Sequence, residues 1–226
     1  MIIEGPSGTG KTTSLRNLDP STTIILAPND KNPTWPGWKA QGWDKRITHI
    51  NRPSDVSRYI LTIARSEKYK KIRNVVIEDF THAQAAVTLG DDFVAQANSK
   101  NPYKRWEDFG VEIYNSIFAL KNLRNDLNVI ILNHVKENAA GQVSFKSFGQ
   151  MVGNSVDPVS YCEIVLHSAV IPATDGTPGG NKYVFITNND GIHEAKSPMG
   201  MFNELFIPND LKAVLDRVEE YENQEA

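Results

Sequence analysis

Met1-Ile-Ile-Glu-Gly5-Pro-Ser-Gly-Thr-Gly-Lys-Thr-Thr13 is the stretch that decides the fold. Inside it, Gly5-Pro-Ser-Gly-Thr-Gly-Lys-Thr12 meets the pattern G-x-x-x-x-G-K-[ST] at every required position. Glycines at this spacing let backbone N–H groups converge on phosphate oxygens, and helical sequence over Thr12–Asn17 presents its positive end to the same anion. Lys11 is expected to reach the β- and γ-phosphates, and the Thr12 hydroxyl to ligate Mg²⁺. The nucleotide-binding set is then Gly5, Pro6, Ser7, Gly8, Thr9, Gly10, Lys11, Thr12 and Thr13, with ATP and Mg²⁺ as cofactors. The apolar opening Met1–Glu4 supplies the strand such a loop needs in front of it.

Working outward, Thr22–Ala27, Asn74–Asp79 and Asn128–Asn133 are apolar runs without alternation, the pattern of parallel strands buried on both faces. Ile47–Ile50 reads as a short strand. A helix is expected from Ser54/Asp55 to about Ser66, a helical region from Thr81 interrupted near Asn98–Pro102, and another over about 103–125. That last segment carries Trp106, Phe109, Ile113, Ile117, Leu120 and Leu123 at helical intervals. Strands and helices alternate to about residue 133, which implies parallel strands with helical crossovers. Beyond it, Tyr161–Ile171, Lys182–Asn188 and Ile192–Ala195 read as β segments, and Asn209/Asp210 cap a final helix. The expectation is an α/β fold: a P-loop NTPase core with a mostly parallel central sheet and a β-rich C-terminal extension ending in a helix, as one domain over 1–226.

A phosphate loop of this kind needs a carboxylate at the tip of a neighbouring strand. Val75-Val-Ile-Glu-Asp79 supplies it, and Asp79 is expected on the metal together with Thr12. Neighbouring strand residues face opposite ways, so Glu78 shares the site only if the strand is already ending there. In that case it polarises the attacking water; the alternatives are Asp30 in that role and Glu78 as a salt-bridged strand-end acid. Asn133 and His134, at the tip of the 128–133 strand, are expected to sense the γ-phosphate. The catalytic set is Lys11, Glu78 and His134.

Charge is uneven over the 226 residues, although the net charge is only −3. From Lys31 to Arg73 eleven Lys/Arg face three acids (Asp44, Asp55, Glu67), interleaved with Trp35, Trp38, Trp43, Tyr59 and Tyr69. Such a block serves a polyanion with stackable bases, or is a solvated helix face over tryptophans packed beneath a loop. From Met201 onward seven acids face two bases. No apolar run reaches the length of a membrane span, the single Cys162 has no internal partner, and the N-terminus has no leader pattern, so a cytoplasmic address is expected.

Asn181-Lys-Tyr-Val184 lacks the Asp of the guanine motif, which disfavours a GTPase, and no arginine-rich lid follows residue 124. GPSGTGKTT (5–13), VVIEDFTHA (75–83), VIILNHVKE (129–137), Asp157-Pro158 and KYVFITNNDGIHEAKSPMGMF (182–202) with IPNDL (207–211) together resemble the phage-encoded RecA-like P-loop ATPases. This AAA-type family includes single-strand-annealing recombinases. The resemblance implies a RecA-like core, a homo-oligomer completing its site with a basic residue (Lys196 by placement), and a loop after His134 approaching single-stranded DNA. On that loop Lys136 and Lys146 are the cations and Phe145 and Phe148 the stacking rings; a surface loop without a ligand is the alternative. The strand at 22–27 ends Ala27-Pro-Asn-Asp30 and not in an acidic pair, which sets slow hydrolysis against fast. The function expected is an ATPase acting on single-stranded DNA in recombination or replication, in the host cytoplasm if phage-encoded, alongside a single-strand-binding protein or replication partner. A helicase loader or motor ATPase and a nucleotide kinase are the alternatives.

Overall fold

A computed structural model describes all residues except 29–30, 122, 150–155, 174–179 and 225–226. The apolar runs become β1 (Ile2–Glu4), β2 (Thr23–Pro28), β3 (Ile47–Ile50), β4 (Asn74–Ile77) and β5 (Asn128–Asn133). They are joined by β8 (Val165–Ile171), β9 (Lys182–Ile186) and β10 (Phe206–Pro208) in one eight-stranded sheet of order β10-β9-β8-β1-β5-β4-β2-β3. All neighbours from β8 to β3 pair in parallel, and only β9 and β10 run antiparallel to their neighbours. The remaining strands, β6 (Val135–Glu137) and β7 (Val143–Phe145), form a separate hairpin.

Continuous apolar strands are what a sheet covered on both faces requires. Ile2, Ile24, Leu26, Val75, Ile77, Val129 and Ile131 point to one face, under α1 (Pro53–Arg65), α2 (Phe80–Thr88) and α4 (Lys104–Phe118). Their neighbours Ile3, Ile25, Ala27, Val76, Ile130 and Leu132 point to the other, under Leu15, Trp35, Trp43 and α5 (Leu211–Glu222). A short α3 (Asp91–Ala95) follows α2. The start of α1 is capped from a distance: Glu112 of α4 accepts from Ser54 N at 2.9 Å and holds the Arg52 guanidinium with both oxygens, at 2.8 and 2.7 Å.

Several boundaries depart from the sequence reading. The turn after the glycine loop, Thr12–Asn17, is a 3₁₀ helix of six residues, so little helix dipole stands behind the loop. The 103–125 helix stops at Phe118, the strand expected from Tyr161 begins only at Val165 because Tyr161 closes a 3₁₀ turn from Pro158, and Ile192–Ala195 contributes only an isolated bridge at His193. Strand β10 was not legible, because a three-residue edge strand is too short to show a period. In the basic block, Trp35 and Trp43 are buried edge-to-face at 5.5 Å, both indoles donating to Gln41 Oε1. The tryptophans are core, and Arg52, Arg58, Lys70 and Arg73 have carboxylate partners in Glu112, Asp55, Glu67 and Asp126. Among the described residues no helix is long and apolar enough to cross a membrane.

Candidate functional site

Parallel pairing brings the C-terminal tips of β1, β5 and β4 together. Glu4 stands opposite Asn133 and Ile77 opposite Ile131, so the segments that leave these strands meet at one end of the sheet. The glycine loop leaves β1 there. Gly5 has φ +154, and a Cβ on it would lie 2.5 Å from Ser168 O; Gly10 has φ +89, with the Tyr183 ring 3.1 Å from where its Cβ would be. The loop is braced from outside: Ser168 Oγ donates to Thr9 O at 2.6 Å, and the Asn209 amide donates to Thr9 O at 3.4 Å and to Ser168 Oγ at 3.3 Å. Lys11 Nζ curls over the loop and donates to Gly5 O and Pro6 O, both at 2.7 Å. Burial lowers its pKa to about 8, against the pull of Glu78 and Asp79.

Thr12 Oγ1 donates to Glu78 Oε1 at 2.7 Å, so Glu78, and not Asp79, is the carboxylate against this hydroxyl. The other oxygen, Glu78 Oε2, is buried and has no hydrogen-bond partner. Glu78 does not turn away as alternation alone would have it, because β4 ends at Ile77, the condition on which it was expected to share the site; Asp79 adopts a left-handed conformation with φ +53 and stays at the cleft too. Its carboxylate then accepts from His82 N at 3.2 Å, capping α2, and lies 3.6 Å from His134 Nε2. Burial opposes ionisation, but the His134 ring, the Lys31 ammonium and the His82 N–H together hold the Asp79 carboxyl well below its usual range. Between the two acids sits Lys31, 2.8 Å from Glu78 Oε1 and 3.4 Å from Asp79 Oδ2. Desolvation alone would lower the Lys31 pKa; the two carboxylates outweigh it and raise it.

These groups line a cleft of about 720 Å³, within the usual size of a small-ligand site. Of the loop, Ser7, Gly8, Gly10, Lys11, Thr12 and Thr13 face it, while Gly5, Pro6 and Thr9 are not on its wall. His134 lines the cleft; Asn133 does not. The Asn133 side chain is fully buried and spent on structure: Thr81 Oγ1 donates to its Oδ1 at 2.7 Å, and its Nδ2 donates to His134 O at 2.7 Å and Lys146 O at 3.2 Å. The expected phosphate contact from Asn133 is therefore replaced by a brace behind His134. Asp30 lies outside the described residues.

The segment after His134 is a hairpin, with Val135 opposite Phe145 and Lys146 N donating to His134 O at 3.0 Å. Lys136 is exposed, but Phe145 is buried in the core and is no stacking ring. Lys146 and Phe148 are half-buried, the ammonium 5.6 Å from the ring centre, with Phe148 N donating to Gln84 Oε1. Lys196 is tied by its backbone to Val165, at the end of β8 remote from the loop, and is not on the wall of its own chain's cleft.

The sequence reading missed Lys31, which was only one cation in a basic block, and Tyr183 and Asn209, whose approach to the loop depends on the antiparallel β9–β10 return. It also missed an acid beneath the loop. Glu4 is fully buried, and neither of its oxygens has a partner; the equally unpartnered His167 Nδ1 lies 3.6 Å away. Desolvation, reinforced by Glu194, pushes the Glu4 pKa up to about 9, and burial pushes His167 down to about 4.

The donor set suits a magnesium nucleotide. Among the described residues no group of three or more His, Cys, Asp or Glu gathers around one point. Mg²⁺ needs no such cage, since it is commonly held by one or two protein oxygens plus substrate phosphates, and Thr12 with the unpartnered Glu78 Oε2 offers that arrangement. Residues 1–199 match a family described as AAA domain. No curated protein matches the chain.

Proposed function

Since the chain belongs to the AAA domain family, whose members are P-loop ATPases in general, we propose that it is a magnesium-dependent ATPase working at the cleft between Lys11 and Glu78. The observation that carries this reading is the Thr12–Glu78 hydrogen bond with a second, unpartnered carboxylate oxygen beside it. Lys11 and the loop amides bind and neutralise the triphosphate. Thr12 and Glu78 would hold Mg²⁺, which when bound would supply positive charge against the β- and γ-phosphates. Asp79, kept ionised and 3.6 Å from His134, takes the water-orienting role that the sequence reading gave to Glu78.

The reading extends to a RecA-like motor acting on single-stranded DNA in recombination or replication. Its support is the hydrogen bond from Lys146 N to His134 O, which roots the β6–β7 hairpin directly on the cleft. Exposed Lys136 and the Lys146–Phe148 pair are the groups a strand would meet; salt-sensitive binding is expected of such cations. Calorimetry with MgATP tests the site. Wild type should give binding heat and Lys11→Ala should lose it, whereas full turnover in Lys11→Ala overturns the assignment. Turnover measured with and without single-stranded DNA tests the extension, which an unchanged rate would overturn.

A further inference from the structure

The glycine loop leaves β1, and a single strand separates β1 from each of two very different walls. On one flank, past β5, the tip of β4 carries Glu78 and Asp79; on the other, past β8, β9 carries Tyr183. At a strand spacing of about 4.8 Å, β4 and β9 each run roughly 10 Å from β1, and their side chains reach back to the loop: Glu78 Oε1 to Thr12 Oγ1 at 2.7 Å and the Tyr183 ring to within 3.1 Å of where a Gly10 Cβ would be. Resting on the reading that the loop grips a triphosphate, the γ-phosphate end belongs on the flank with Lys31, Glu78, Asp79 and His134. The nucleoside must then leave over the opposite flank.

That flank is built of apolar rings. Tyr183 is 47% exposed although Val184, Phe185 and Ile186 after it are buried, and its hydroxyl has no partner among the described residues. The ring is wedged against Gly10 and its backbone carbonyl accepts from Asn209 N at 3.1 Å, which fixes it to the start of the C-terminal segment. Exposed Pro208 on β10 continues the same wall. The polar groups nearby are already spent on the loop: Arg16 donates to Thr13 O at 3.1 Å and Asn209 O at 2.8 Å, and the Asn209 amide reaches Thr9 O and Ser168 Oγ. A ring arriving here meets faces and few free hydrogen-bonding groups.

We propose that Tyr183 and Pro208 form a nucleobase subsite, gripping the base of the bound nucleoside triphosphate by its ring face while the glycine loop holds its phosphates. Pro208 and Asn209 lie beyond residue 199, so this end of the site is completed outside the matched family region.

The test is calorimetry on the full chain with two probes, MgATP and magnesium tripolyphosphate, for wild type, Tyr183→Phe and Tyr183→Ala. Stacking of a base on an aromatic ring is worth about five- to hundredfold in affinity. Tyr183→Ala should lose about that factor for MgATP while tripolyphosphate affinity stays unchanged, and Tyr183→Phe should retain both. An equal loss for both probes in Tyr183→Ala makes the ring a mere support for Gly10 and overturns the subsite, as does no loss for either. Failure of tripolyphosphate to bind wild type overturns the phosphate reading itself, an outcome distinct from the other two.

Discussion

Lys31 Nζ lies 2.8 Å from Glu78 Oε1, on the same carboxylate oxygen that accepts the Thr12 hydroxyl. An ammonium therefore sits beside the group proposed to hold Mg²⁺, and the two cations compete for one carboxylate. Removing the ammonium leaves Glu78 and Asp79 facing one cleft without it, a like-charge arrangement that a divalent ion relieves. Lys31→Ala should accordingly show a larger rise in melting temperature on adding MgCl₂ without nucleotide than wild type shows. Equal magnesium responses in the two proteins would remove Lys31 from this role.

The two adjacent acids should separate by what they damage. Asn is among the few residues that tolerate the left-handed conformation of Asp79 and can still accept from His82 N, so Asp79→Asn should fold and keep its helix cap. It should bind MgATP within a fewfold of wild type yet turn it over about 10²- to 10⁴-fold more slowly, the scale on which a positioned acid–base group contributes. Glu78→Gln should instead weaken the magnesium-dependent part of ATP affinity. Binding isotherms with and without Mg²⁺, set beside steady-state rates, read both; reversed phenotypes would return Asp79 to the metal and Glu78 to the water.

Much of this is legible in the sequence. The loop, the acidic strand end and the apolar strands β2, β4 and β5 follow from local pattern, because a buried parallel strand and a phosphate loop each leave a short contiguous signature. What stayed hidden depends on backbone direction and on distant partners. The strand end at Ile77 and the left-handed turn at Asp79 bring both acids to the cleft and put Glu78, not the expected Asp79, against Thr12. Asn133, polar at a strand tip, looks like a sensor until Thr81, His134 and Lys146 are seen to consume it. Phe145 looks available for stacking in a Gly-containing segment, but the hairpin register directs it into the core.

Glu4 sets a pH dependence of stability. Its carboxyl is protonated in the folded chain up to about pH 9, whereas the unfolded chain loses that proton near 4.5. Between those values the folded state binds more protons, so stability is fully present below about 4.5 and falls as pH rises toward 9. His167 acts in the other direction at the acid end: with its pKa lowered to about 4 from 6.5, its contribution is lost as pH falls from 6.5 toward 4. Glu4→Gln keeps the shape and removes the ionisation. Its melting temperature should exceed that of wild type by a margin that widens steadily from pH 5 to pH 9, while a margin independent of pH would mean that Glu4 titrates as an ordinary exposed acid.

Asn133 should couple the cleft to the hairpin without touching a ligand. Its amide nitrogen joins His134 O to Lys146 O, and Thr81 Oγ1 both donates to its oxygen and accepts from His134 N at 2.9 Å. Asn133→Ala strips partners from a buried hydroxyl and from carbonyls, at a cost of about 1–3 kcal/mol for each group left unsatisfied. The expected result is a lower melting temperature, faster amide exchange over residues 143–146, and MgATP affinity close to wild type, because Lys11, Thr12 and Glu78 are untouched. Any stimulation of turnover by single-stranded DNA should weaken in the same variant, since the Lys146 N–His134 O bond would hold the hairpin root alone. Unaltered exchange in the hairpin would show that the Lys146–His134 backbone bond suffices, and a collapse of MgATP affinity would put Asn133 back in the phosphate site.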